Sequence, residues 1–132
     1  MLRILLVDDE PLVLIGLQGM LEWEKLGYTV CGTARNGKLA LELIEREKPD
    51  IVIADVKMPV MDGLTATKTI RSLERQDAKT IPIIAMTANA FREDAEKCME
   101  AGMNAHLAKP LDDEKIKQTI SEELRKQNAC HK

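Results

Sequence analysis

A chain of 132 residues, 45% hydrophobic and 31% charged, is sized for a single domain that buries roughly two-thirds of its unfolded surface in one core. Its net charge of −3 offers no basic patch, and three aromatic residues (Trp23, Tyr28, Phe91) cannot build a base-stacking platform, which argues against direct nucleic-acid binding. Cys31, Cys98 and Cys130 form no C-x-x-C pair or zinc-like cluster, and "MLRILLVDDE" meets acids too early for a signal or membrane segment, so the expected setting is a reducing cytoplasm away from the membrane.

The first apolar run, "RILLV" (Arg3 to Val7), has the character of a buried strand and is followed by Asp8, Asp9 and Glu10. Val13, Leu17, Met20 and Leu21 then repeat at helical spacing. A second strand, "YTVCGTA" (Tyr28 to Ala34), precedes a helix whose stripe of Leu39, Ala40, Leu43 and Ile44 lies opposite Glu42, Glu45 and Lys48. The third strand, "IVIA" (Ile51 to Ala54), runs into Asp55, and its helix carries Ala66, Ile70 and Leu73. The fourth, "IIAM" (Ile83 to Met86), ends at Thr87 before a helix marked by Phe91, Ala95, Cys98 and Gly102. The fifth, "AHLA" (Ala105 to Ala108), is followed by Lys109 and a last helix with Ile116, Ile120 and Leu124. The stretch "RKQNACHK" is expected to be a loose tail, leaving about residues 1–126 of a single 1–132 domain ordered. All five prolines fall at element boundaries, where a missing N–H costs least.

Strands alternating with helices across such short connections predict an α/β fold with a mostly parallel sheet covered on both faces. Ligands of such sheets bind beyond the carboxyl ends of the strands, where the strand order reverses. Asp8, Asp9, Asp55, Thr87 and Lys109 all follow strand ends, and the second strand ends without such a residue. In the doubly wound order 2-1-3-4-5 the first and third strands are neighbours, so the three aspartates converge. They then need protons or a cation, and all-oxygen ligation with few protein groups suits Mg²⁺. Thr87 and Lys109 add a hydroxyl and an ammonium, completing a pocket for a phosphoryl group. Taken singly, Asp8 is as readily a helix N-cap, Asp55 the start of an Asx turn, Thr87 a cap and Lys109 a solvated lysine. Their coincidence at one sheet edge favours the pocket.

The motifs "LLVDDE", "IVIADVKMPVMDG", "IIAMTANA" and "AHLAKPL", in this order and spacing, resemble the receiver domain of two-component response regulators over essentially the whole chain. The resemblance implies a flavodoxin-like (βα)5 fold with a five-stranded parallel sheet, and it also carries the strand order used above. It implies that Asp55 is phosphorylated from a histidine-kinase phosphohistidine. Asp8, Asp9, Asp55 and the backbone carbonyl of Lys57 would hold Mg²⁺ or Mn²⁺. Lys109, followed by Pro110, would pair with the aspartate or its phosphate, and Thr87 would be the switch hydroxyl. His106 stands where the family usually has Tyr or Phe, a departure that bears on the switch ring. Lys57 and Asn89 occupy positions that tune phosphoryl lifetime.

By the same resemblance, the partners are a histidine kinase or phosphotransfer protein. The face made by the fourth helix, fifth strand and fifth helix, roughly Phe91 to Arg125, would bind partners or a second copy on activation. The domain would signal, assisting its own phosphorylation and dephosphorylation, and would not be an enzyme in the usual sense. A haloacid-dehalogenase-like phosphatase also uses an aspartyl phosphate, Mg²⁺, Thr and Lys. Its D-x-D after the first strand is replaced here by "VDDE". A flavodoxin-like redox protein is disfavoured by the few aromatics, and a receiver-like binding module without phosphorylation by the retained acids, Thr87 and Lys109.

Overall fold

The computed structural model describes residues 2–20, 22–55, 63–72, 81–87, 96, 99–108 and 112–130. Five parallel strands, β1 (Leu2–Val7), β2 (Tyr28–Ala34), β3 (Ile51–Asp55), β4 (Ile83–Thr87) and β5 (Ala105–Ala108), form one sheet in the order β2-β1-β3-β4-β5. The expected topology is therefore present, with β1 and β3 adjacent. The helices include α1 (Pro11–Met20), α2 (Gly37–Glu47), α3 (Gly63–Arg71) and a C-terminal helix (Asp113–Cys130), which continues through most of the stretch expected to be a loose tail. Of the helix expected around Phe91, only residues 96 and 99–101 are described, and they are helical.

Strand alternation splits the core into two layers. Ile4, Leu6, Ile51, Ile53, Ile84 and Met86 join Leu14 and Leu17 of α1 and Ile116 and Ile120 of the C-terminal helix on one face. Leu5, Val7, Val52, Ala54, Ile83 and Ala85 meet Ala40 and Ile44 of α2 and Ile70 of α3 on the other. Each buried Ile or Leu contributes about 1.5–3 kcal/mol of transfer free energy, and slipping a strand by one residue would exchange its two faces. Double-sided burial is why β1, β3 and β4 are near-continuous apolar runs. Trp23, in a 3₁₀ turn (Trp23–Leu26) below α1, is buried with its Nε1 donating to the Leu17 carbonyl at 3.1 Å.

Two helical stripes differ from the expectation. In α1 the buried positions are Leu14 and Leu17, while Met20 is 40% exposed and Leu21 lies outside the described residues. In α2 Leu39 is exposed because it lies about 100° around the helix from Ala40, off the face on which Gly37, Ala40 and Ile44 are buried; its N–H is held by the Asn36 side chain at 2.9 Å. Leu73, Phe91, Ala95 and Cys98 fall outside the described residues. Cys31 sits where the β1–β2 register shifts, packed against the α2-side core, and burial raises its thiol pKa.

At the amino ends of β4 and β5, Arg71 ties three segments together. Its guanidinium donates to the Gly102 carbonyl (2.7 and 3.0 Å), the Ile81 carbonyl (2.8 Å) and Asn104 Oδ1 (2.7 Å). Asn104 Oδ1 also accepts the Ile83 N–H at 2.9 Å. Gly102 closes the turn at φ +106°, and a Cβ there would stand 3.0 Å from Arg71 Cγ. Gly27 is also left-handed, at φ +89°, but would meet nothing within 4 Å. Gly102→Ala should therefore cost about 2–4 kcal/mol in urea unfolding, and Gly27→Ala only about 1–2 kcal/mol. Equal losses would show that Arg71 does not crowd the turn.

Candidate functional site

Register assembles the site. Val7 of β1 pairs with Ala54 of β3, so the next residues, Asp8 and Asp55, stand level at the carboxyl end of the sheet. The Asp8 N–H donates to the Ala34 carbonyl at 3.0 Å, carrying the β1–β2 ladder one residue further. Its Oδ1 accepts the Glu10 N–H at 2.9 Å, an Asx-type turn that leads the chain into α1. The Glu10 carbonyl accepts from Val13 (3.0 Å) and Leu14 (3.3 Å), and Pro11 takes the first helical position, where no N–H is required. Asp8 thus has the local turn role that its sequence position allows, and it contributes to the pocket as well.

Asp8 is fully buried, Asp55 is 7% exposed, and Asp9 is partly exposed. One carboxylate oxygen from each lies within 4.8 Å of the others. Two unit charges at that separation repel by about 3 kcal/mol at an effective dielectric constant of ~20. Three such pairs approach about 10 kcal/mol, the scale of a small domain's whole stability. Protons or positive charge must therefore reach the cluster. The donor set suits the second: three hard, ionisable oxygens at the open end of a sheet fit a small divalent cation such as Mg²⁺, which keeps the rest of its shell as water.

The other expected residues are placed only in part. Thr87 is the last residue of β4, paired with Ala108 of β5. Lys109 follows Ala108 directly, and Lys109, Pro110, Lys57 and Asn89 all lie outside the described residues. His106 pairs with Ala85 in the β4–β5 ladder and is exposed, not the partly buried ring that a strand position allows. It lines a groove with Glu96, Glu100, Glu122 and Glu123, residues the sequence reading did not single out. A signal for Glu123 was available: it falls three residues after Ile120 on the apolar stripe of its helix and is buried there. No described helix is long and apolar enough to cross a membrane.

Residues 4–121 match the family model described as the response regulator receiver domain. Among curated proteins, the chain is 38% identical over its full length to the uncharacterized transcriptional regulatory protein YesN of Bacillus subtilis, covering 36% of that protein. It is 42% identical over 91% of its length to sensor histidine kinase RcsC of Escherichia coli K12, covering 12% of that protein. The chain therefore spans about a third or less of these two relatives. Among solved structures, the receiver domain of sensor histidine kinase PA1611 from Pseudomonas aeruginosa PAO1 is 37% identical with a TM-score of 0.79, over 92% of this chain and 95% of that one. A magnesium ion is coordinated in the active-site cleft of that neighbour.

Charge crowding at the triad makes a signed prediction. Asp9→Asn removes two of the three repulsive pairs, so without metal it should raise unfolding stability by about 1–3 kcal/mol while weakening Mg²⁺ binding by at least about tenfold. Chemical denaturation in chelator and calorimetric Mg²⁺ titration read the two effects. A less stable metal-free variant, or unchanged Mg²⁺ affinity, contradicts the crowding.

Proposed function

The chain belongs to the response regulator receiver family, whose members take a phosphoryl group onto an aspartate in two-component signalling, and on that footing we propose that Asp55 is the acceptor. The observation that carries this reading is the convergence of Asp8, Asp9 and Asp55 within 4.8 Å, with Asp55 on a strand whose every residue is buried. A nucleophile on such a strand is held in one position, and phosphoryl transfer depends on positioning and charge stabilisation more than on covalent help.

A carboxylate oxygen of Asp55 attacks the phosphorus of a phosphohistidine. The new O–P bond forms as the P–N bond breaks, and the imidazole leaves with its electron pair and takes up a proton. Asp8, Asp9, Asp55 and the Lys57 carbonyl would hold Mg²⁺ or Mn²⁺, which would supply positive charge to offset that on the transferring oxygens. The Thr87 hydroxyl donates to a phosphoryl oxygen, and the Lys109 ammonium pairs with another. Because Thr87 ends β4 and Lys109 follows β5, both strands sense the new group. His106 on β5 passes the change to the neighbouring groove; unaltered amide shifts in the C-terminal helix of a phosphorylated His106→Tyr variant, compared with wild type, would remove that role.

The phosphodonor is a histidine kinase or phosphotransfer protein in the cytoplasm, and the domain acts as a signalling switch that catalyses only its own phosphorylation and dephosphorylation. The Lys57 side chain attracts the phosphoryl charge and hinders attacking water, which lengthens the life of the acyl phosphate.

Acetyl phosphate with Mg²⁺ should label the wild-type chain and leave Asp55→Asn unlabelled, with no label on either in chelator. Equal labelling of both proteins, or labelling without metal, rejects Asp55 as acceptor. Once the donor is removed, label should leave Lys57→Ala faster than wild type; the opposite order rejects the braking role.

A further inference from the structure

The second strand also ends beside a charge, one that its spacing in the sequence did not single out. Val7 of β1 pairs with Ala34 of β2, and the Asp8 N–H donates to the Ala34 carbonyl at 3.0 Å, so Arg35 leaves β2 at the level where Asp8 leaves β1. Paired strands lie about 4.8 Å apart, which sets the root of the Arg35 side chain one strand spacing from the first aspartate of the triad. The backbone there is held: Asn36, the next residue, caps α2 by accepting the Leu39 N–H at 2.9 Å. The side chain is exposed, and among the described residues no ion pair or side-chain hydrogen bond engages it. Its guanidinium is therefore a cation on a fixed root at the rim of the acid pocket.

Fixed charge at this end of the sheet is otherwise acidic. Asp8, Asp9 and Glu10 follow β1 and Asp55 ends β3, while of the described residues at or directly after the five strand ends only Arg35 is a cation. Such a charge acts in opposite directions on the two kinds of ion that phosphoryl transfer brings to the pocket. It repels a divalent cation and attracts an anionic phosphodonor, whose approach to three carboxylates stays unfavourable because one divalent ion does not fully neutralise them.

We propose that Arg35 is a steering residue: it raises the potential over the acid pocket, weakening Mg²⁺ binding and speeding the encounter with an anionic phosphodonor. The donor half rests on the reading of Asp55 as acceptor; the Mg²⁺ half does not.

The test compares the whole wild-type chain with R35Q, R35E and R35K, and with K48Q, which removes an exposed lysine at the far end of α2. Calorimetric titration reads Mg²⁺ affinity. The initial rate of labelling by acetyl phosphate, with Mg²⁺ saturating and donor well below saturation, reads the encounter. Below about 0.1 M ionic strength the screening length exceeds about 10 Å, and at about 1 M it falls to about 3 Å. At the lower ionic strength R35Q should bind Mg²⁺ about twofold more tightly and take label about twofold more slowly, and R35E should change each by about fourfold. R35K and K48Q should stay within about 1.3-fold of wild type, and at about 1 M salt every difference should vanish. Affinity and labelling that fall together, R35K behaving as R35Q, equal effects of R35Q and K48Q, or differences that survive the high salt would overturn the proposal. Absence of label from wild type rejects Asp55 as acceptor, while the Mg²⁺ titration still decides the role of Arg35.

Discussion

Mutual repulsion of three carboxylates is the constraint around which this domain is arranged. Asp8, Asp9 and Asp55 meet because β1 and β3 pair with Val7 opposite Ala54, and the two-layer core fixes that register. Ile4, Leu6, Ile51 and Ile53 face one layer while Leu5, Val7, Val52 and Ala54 face the other, so neither strand can slip to separate the charges. The packing energy of the core holds a polar cluster that would otherwise fly apart. What would make the cluster useful is the same thing that makes it costly: a strong demand for positive charge, which a divalent cation would meet.

Much of this was legible in the sequence. Strands buried on both faces are continuous apolar runs, and the limits of β2 and β5 coincide with the expected ones. Asp55 and Thr87 each belong to the strand they were expected to follow, because the ladder to β4 and β5 includes their backbones. Helical stripes were less legible. Leu39 has the right spacing for an apolar stripe, yet the face that meets the sheet is that of Gly37, Ala40 and Ile44, which leaves Leu39 exposed. Met20 ends α1 where the helix has already passed the sheet, and it stays half in solvent. Periodicity gives a stripe, while the neighbouring elements decide which of its edges is covered.

The site was legible for its aspartates because their type and place relative to strand ends carry the chemistry. Lys57, Asn89 and Lys109 lie outside the described residues, so their roles rest on the resemblance and the proposal built on it. The resemblance pointed to the face of the fourth helix, fifth strand and C-terminal helix, but not to the carboxylates that line its groove, since they come from two distant segments that only the fold brings to one surface. The two ends of the sheet also differ in kind. At the amino ends of β4 and β5, Arg71, Gly102 and Asn104 form a hydrogen-bonded knot, and burial of the guanidinium lowers its pKa. At the carboxyl ends, three carboxylates crowd within 4.8 Å of one another.

The central claim is that one carboxylate of the three, Asp55, carries the phosphoryl group. Borohydride reduction of an acyl phosphate converts the aspartate that bears it to homoserine, and peptide mass spectrometry then identifies the position. After treatment with acetyl phosphate and Mg²⁺, the account predicts homoserine at position 55 and intact aspartate at positions 8 and 9. Homoserine at 8 or 9, or at none of the three, would contradict it.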